Sequence, residues 1–299
     1  MSYCVNCGNN YSLVSGICSA CYSDQRIPNR IIEDKLKHIK TNRDQEHIPL
    51  FGYPGEKAAL VLSLIISVII AIILGTISIG IFIALLAINL IYLKMSHISN
   101  KKNMIQVSEH NFAKVLTIAK VGAYRLSLPL PEIYVTESSD YNAYTMGFSK
   151  YGFIVLNSAL IKDFQPEELL FIIGHEMGHM KKLHTTWLSL LNPSKQSSAQ
   201  FVLSPIINVI FNVWSIKAEY TADQGGLIAC KNVGAAINSF VKLAGGNFAK
   251  EEIDIKNLLD QNNEKEEFIS NILEFFNTHP FIQNRIKQIN IFNKSQQGG

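Results

Sequence analysis

The sequence predicts a mainly helical α+β fold, and three observations carry that expectation. Residues 164–184 repeat apolar positions at helical spacing around His175-Glu176-Met177-Gly178-His179. Two short β-rich runs, 132–136 and 153–156, supply only a small sheet. An uncharged run of Ile, Leu, Val and Ala fills 58–93. With 299 residues and a net charge of +3, the chain can hold more than one domain, and its charge is too weak to imply nucleic acid as a partner.

The first 21 residues hold four of the five cysteines. Cys4-x-x-Cys7 and Cys18-x-x-Cys21 have the spacing of two thiolate knuckles gripping one structural zinc, a zinc ribbon over 1–23. Tyr11, Leu13, Val14 and Ile17 suggest a hairpin between the knuckles, and so small a unit draws its folding energy from metal. Two disulfides or a redox dithiol are the alternatives. Cys230, alone in an apolar setting, reads as a core residue.

Residues 24–57 read as a polar linker in which Ile31, Ile32, Leu36 and Ile39 mark one short amphipathic helix. The 58–93 run would extend about 54 Å as one helix, against a hydrocarbon core of about 30 Å. Two spans turning near Gly75-Thr76 and Gly80 fit better, a transmembrane helical hairpin in contact with the lipid bilayer. Arg43 and Lys57 before it, and Lys94, Lys101 and Lys102 after it, place both ends in the cytoplasm. The expectation is a multi-pass protein of the cell's inner membrane, with ribbon and catalytic site in a reducing compartment that suits free thiolates. A single tilted span is the rival and would put them on opposite sides.

From 94 to 295 the pattern is that of a catalytic domain. Residues 104–128 suggest a helix closed by Pro129 and Pro131, and the strands at 132–136 and 153–156 follow, with Asn142-Ala143-Tyr144-Thr145-Met146-Gly147 between them. A strand there at a sheet edge would pair with an extended peptide through main-chain hydrogen bonds; an interior hairpin is the other reading.

On a helix, His175 and His179 share a face, so both imidazoles reach one zinc while Glu176 flanks them as a general base toward water. Pro166 suits the first turn, Glu167 and Glu168 favour the N-terminal dipole, and Lys181, Lys182 and His184 crowd the other end. A buried helix whose histidines merely hydrogen-bond is the plain alternative. Residues 185–200 look loop-like, and 201–216 suggests a buried or membrane-grazing helix running on into Lys217-Ala218-Glu219. Glu219 is the candidate third ligand; Asp223, one turn on, would accept a proton from a ligating histidine. A solvated acidic pair is the other reading. Residues 227–243 and 268–276 read as further helices, and 296–299 as a disordered tail.

Taken together, residues 104–292 resemble the HtpX-like membrane zinc metalloproteases, a family that includes the CaaX prenyl protease. The motifs are Pro131-Glu132-Ile133-Tyr134-Val135 with Asn142-Ala143-Tyr144, then His175-Glu176-Met177-Gly178-His179, Glu219-Tyr220-Thr221-Ala222-Asp223, and Thr278-His279-Pro280 with Arg285-Ile286. The resemblance implies a zincin catalytic domain of the gluzincin type, with His175, His179 and Glu219 as zinc ligands and Glu176 as catalytic base. It implies substrate contacts from Asn142, Ala143, Tyr144 and Arg285. For His279 it leaves two roles, donor to the developing oxyanion or a fourth ligand that blocks water. Many relatives carry an arginine where this chain has Ile216, and the ribbon is an addition. The expected activity is hydrolysis of membrane or membrane-adjacent polypeptides, in protein quality control, with two zinc ions as cofactors and a protein partner on the ribbon. The alternatives are cleavage of one substrate chosen by the ribbon, or a membrane-anchored zinc-ribbon scaffold with a degenerate protease fold.

Overall fold

The computed structural model describes residues 2–4, 7, 9–11, 17–18, 20–22, 29–38, 52–74, 104–147, 152–191, 204–252 and 282–297. His279, the expected second span at 75–93 and the expected helix at 268–276 lie outside them.

Near the N-terminus, β1 (Ser2–Tyr3) pairs antiparallel with β2 (Asn10–Tyr11), a small hairpin around the first knuckle; Leu13 and Val14 of the hairpin expected between the knuckles lie outside the described residues. Helix α1 (Asn29–His38) buries Ile32 and turns Ile31 to solvent. Ile17 and Ile32 join the main apolar core, and Tyr22 and Leu36 pack against it.

Helix α2 (Glu56–Leu74) begins the apolar run. Its first turns seat Ala59, Leu60 and Leu64 against Phe211, Trp214 and Ala218. Beyond Leu64 no described residue of α2 is buried, and Ile65, Val68, Ile69 and Ile72 are at least half exposed. Among the described residues no helix is long and apolar enough to cross a membrane.

The described region from residue 104 opens on β3 (Ile105–Gln106) and only then enters α3 (Ala113–Leu126), which starts later than the helix expected from residue 104. Main-chain pairing with the next strand claims Ile105 and Gln106, a long-range contact that helical spacing does not register. The sheet runs β3, β4 (Glu132–Thr136), β6 (Phe153–Asn157), β5 (Ala143–Met146), with β4 and β6 parallel and β5 antiparallel on the outer edge of β6. All five residues of β6 are buried, which explains a continuous apolar run where alternation would mark an outer strand.

After the short α4 (Ser158–Asp163) comes α5 (Pro166–Lys181), capped by Gln165 and Glu168 in a reciprocal box, with the Gln165 N–H donating to Glu168 Oε2 at 2.8 Å. Leu183 takes a left-handed φ of 60°, and the chain re-enters a helix, α6 (His184–Leu191), where a loop was expected. Helix α7 (Ser204–Cys230) absorbs the apolar stretch and the Glu219 motif in one 27-residue rod. It stops at Lys231, φ 54°, where Asn232 caps α8 (Val233–Glu252) by accepting the Ala235 N–H, so the helix expected over 227–243 is two helices. The last helix, α9 (Ile282–Gln297), reaches into the stretch expected to be a disordered tail.

Helices α5 and α7 cross almost backbone to backbone. A β-carbon on Gly225 would stand 3.1 Å from Gly178 Cα, and one on Gly178 would stand 3.1 Å from Ala222 Cα. Glycine within a helix costs about 0.5–1 kcal/mol relative to alanine, but here it lets two rods approach closely enough for short side chains on both to converge.

Candidate metal centre

Three donor atoms meet where α5 and α7 cross. His175 Nε2 and His179 Nε2 are 3.1 Å apart, and the Glu219 carboxylate lies 3.6 Å from each, Oε2 toward His175 and Oε1 toward His179. An ion held tetrahedrally at about 2.0–2.1 Å spaces its ligands by about 3.4 Å, so the triangle has the size of a catalytic zinc site with one corner left for water or substrate. All three expected ligands are therefore brought together.

Each ring is held from behind. Asp223, fully buried, accepts from His175 Nδ1 at 2.8 Å, which turns Nε2 toward the other donors. Arg285 grips Asp223 with its fork, Nε to Oδ2 at 2.9 Å and Nη2 to Oδ1 at 2.5 Å. Where a substrate contact was expected, the Arg285 guanidinium is thus engaged with Asp223 and packed 4.5 Å over the Phe240 ring. Burial disfavours protonated His175, but the hydrogen bond and charge of Asp223 outweigh it and raise the ring's pKa. Burial pushes His179 well below its ordinary value, toward the neutral form that metal binding requires.

The second ring leads to residues that sequence reasoning missed. His179 Nδ1 lies 3.0 Å from His184 Nδ1, and His184 Nε2 lies 2.7 Å from Glu56 Oε1. Thr221 donates its hydroxyl to the other Glu56 oxygen. The backbone leading to Glu56 is pinned to α7: the Tyr53 N–H donates to Thr221 Oγ1 at 2.9 Å, and the Gly52 N–H to Gln224 Oε1 at 2.8 Å. The only signal was a histidine five residues after the second ligand; nothing near Glu56 pointed to a metal.

Glu176 is buried beside the triangle, and Thr145 on β5 donates to its Oε2 at 2.7 Å. Burial lifts the Glu176 carboxyl above the ordinary range, against the pull of His175 and the Thr145 hydroxyl. A carboxylate raised in this way is suited to accept a proton and return it. Of the expected substrate residues, Asn142 is exposed just before β5, while Ala143 and Tyr144 are half-buried on that strand beside α5.

A profile of peptidase family M48 matches residues 109–291, more than half of the chain, and takes in α5, α7 and the start of α9. The chain belongs to peptidase family M48. As an M48 member it is 28% identical over 156 residues to the plastoglobule-localized metallopeptidase 48 of Arabidopsis thaliana, covering 50% of this chain and 45% of that protein. It is 26% identical over 216 residues to the protease HtpX homolog of Helicobacter pylori (59% and 68% covered), and 43% identical over 70 residues to a CAAX prenyl protease 1 homolog of Arabidopsis thaliana (22% and 16%). The chain thus spans less than half the length of two of these M48 relatives.

The M48 match begins after the cysteine cluster, which forms a second potential metal site. Cys4 Sγ lies 3.5 Å from Cys21 Sγ, and Cys7 Sγ lies 3.6 Å from Cys18 Sγ. None of the five cysteines is in a disulfide. Thiolates at about 2.3 Å around a tetrahedral ion sit about 3.8 Å apart, so this cluster fits one zinc and not two disulfides, whose sulfurs would be about 2.05 Å apart. Cys230 is a buried thiol whose pKa burial pushes up to about 12, an inert core group as expected.

Proposed function

We propose that this chain is a zinc endopeptidase, anchored to a lipid bilayer, that cleaves membrane or membrane-adjacent polypeptides in protein quality control. The observation that carries the reading is the triangle of His175, His179 and Glu219 with Glu176 at its side and an edge strand tied to Glu176 through Thr145. Zinc held there would supply Lewis acidity toward a carbonyl oxygen and lower the pKa of water to roughly 7.

The residues divide the remaining work. An extended substrate pairs with the side of β5 away from β6 through main-chain hydrogen bonds, with Asn142, Ala143 and Tyr144 along its path. Glu176 takes the proton from water as the oxygen attacks the carbonyl carbon, and gives that proton to the nitrogen as the C–N bond breaks. Asp223 and Arg285 hold His175 in place and act through it. The exposed apolar residues of α2 past Leu64, together with the uncharged run that follows in sequence, support the bilayer anchor. The excess of lysine and arginine at both outer ends of that run favours the cytoplasmic face of the inner membrane. The cysteine cluster holds a second, structural zinc and offers a surface to a protein partner.

Glu176→Gln tests the reading directly. The variant should keep two zinc ions per chain and lose cleavage of an unfolded casein-type substrate; cleavage that persists would reject Glu176 as the base.

A further inference from the structure

The far end of the His179 chain of contacts is a carboxylate from the apolar helix. Resting on the zinc peptidase reading, we propose that Glu56 is a positioning residue of the metal centre, acting through His184 on the ligand His179, so that helix α2 is part of that centre. Proton bookkeeping fixes the direction of every contact. His179 turns Nε2 toward His175 and Glu219, so its Nδ1 carries the hydrogen and donates to His184 Nδ1 at 3.0 Å. His184 must then accept on Nδ1 and hold its own hydrogen on Nε2, which donates to Glu56 Oε1 at 2.7 Å. Thr221 supplies a donor to the remaining Glu56 oxygen. No polar atom in the series is left without a partner of the right kind.

The two ligating rings are therefore oriented by different means. His175 leans on Asp223, which belongs to the same helix as the third ligand. His179 reaches its carboxylate only through a second imidazole, and that carboxylate comes from a segment 128 positions away from His184 in sequence. His184 is 1% exposed and stands edge-on to Trp214, with ring centroids 6.0 Å apart, so it is locked in the orientation that the relay needs. Trp214 also belongs to the cluster that seats α2 through Ala59, so packing and hydrogen bonding fix the same joint.

The test uses the full-length protein and measures zinc directly. Zinc content and chelator competition are compared for wild type, Glu56→Ala and His184→Phe, together with the visible spectrum of the cobalt-substituted forms and the melting temperature. His184→Phe keeps a ring against Trp214 and leaves Glu56 on Thr221, so it cuts the relay without unseating α2. Both variants should hold the catalytic metal about 10–100-fold more weakly and change the cobalt spectrum, while the cysteine-bound zinc stays. The double variant should be no worse than either single one, because both cut one chain of contacts. Unchanged affinity and spectrum in His184→Phe would overturn the proposal, and a lower melting temperature with unchanged affinity in Glu56→Ala would show that Glu56 only seats α2. A wild-type protein whose zinc is all lost in Cys18→Ser, leaving none at the histidine–glutamate centre, would bring down the peptidase reading as well, an outcome distinct from either of these.

Discussion

The Thr145 hydroxyl donates across 2.7 Å to Glu176 Oε2, linking the outer strand of the sheet to the carboxylate beside the metal triangle. Both side chains are buried, so this hydrogen bond has no water to replace it. Thr145→Val preserves shape and removes the donor. A hydrogen bond to a charged group is worth about 1.5–3 kcal/mol, so kcat should fall by roughly ten- to a hundredfold while zinc content is unchanged. Steady-state kinetics with metal analysis on the same preparation would check this; a fall in zinc content would contradict it.

Glu219→Ala opens one side of the triangle and should release one zinc and all cleavage activity. Cys18→Ser, at the other centre, should release the other zinc. Metal counts per chain of about two for wild type and about one for each variant are the expected result, and loss of both ions from Glu219→Ala would show the two centres to be coupled.

Gly225→Ala drives a methyl group into the α5–α7 crossing at 3.1 Å from Gly178 Cα, where only backbone stands to receive it. Overpacking of this sort costs about 1–3 kcal/mol. The melting temperature should drop by several degrees, and metal affinity should drop with it, because the crossing sets the separation of the histidines from Glu219. An unchanged melting temperature would mean that the helices can part without cost.

Lys242 and Glu168 form a buried pair at 2.6 Å, each side chain 3% exposed, and Glu168 also caps helix α5. Lys242→Met strands a carboxylate in the interior and should cost about 3–5 kcal/mol by denaturant titration. Adding Glu168→Gln should recover part of that loss, since the remaining amide needs no counter-charge.

What could be read in advance were features written at short spacing. Two histidines four apart, a glutamate and an aspartate four apart, and cysteines three apart each declare a shared face or a knuckle, and the structure brings each set together. The roles of Glu56, His184 and Thr145 were not legible for the opposite reason: each matters through a contact with a residue far away in sequence. Strand β3 and helix α6 were missed on similar grounds, one formed by pairing with β4 and the other restarted after a single left-handed residue at Leu183. Arg285 was found by resemblance, but its bond to Asp223 was not legible, because a sequence motif names a residue without saying which way it faces.

The knuckles at the N-terminus do not swing on the end of a tether. Ile17 and Tyr22 are built into the same interior as α3, and Lys114 of that helix lies 5.1 Å over the Tyr22 ring. The cysteine cluster is therefore docked, through its flanking residues, on the same core that carries helix α3, and whatever reaches one is set in a fixed frame with the other.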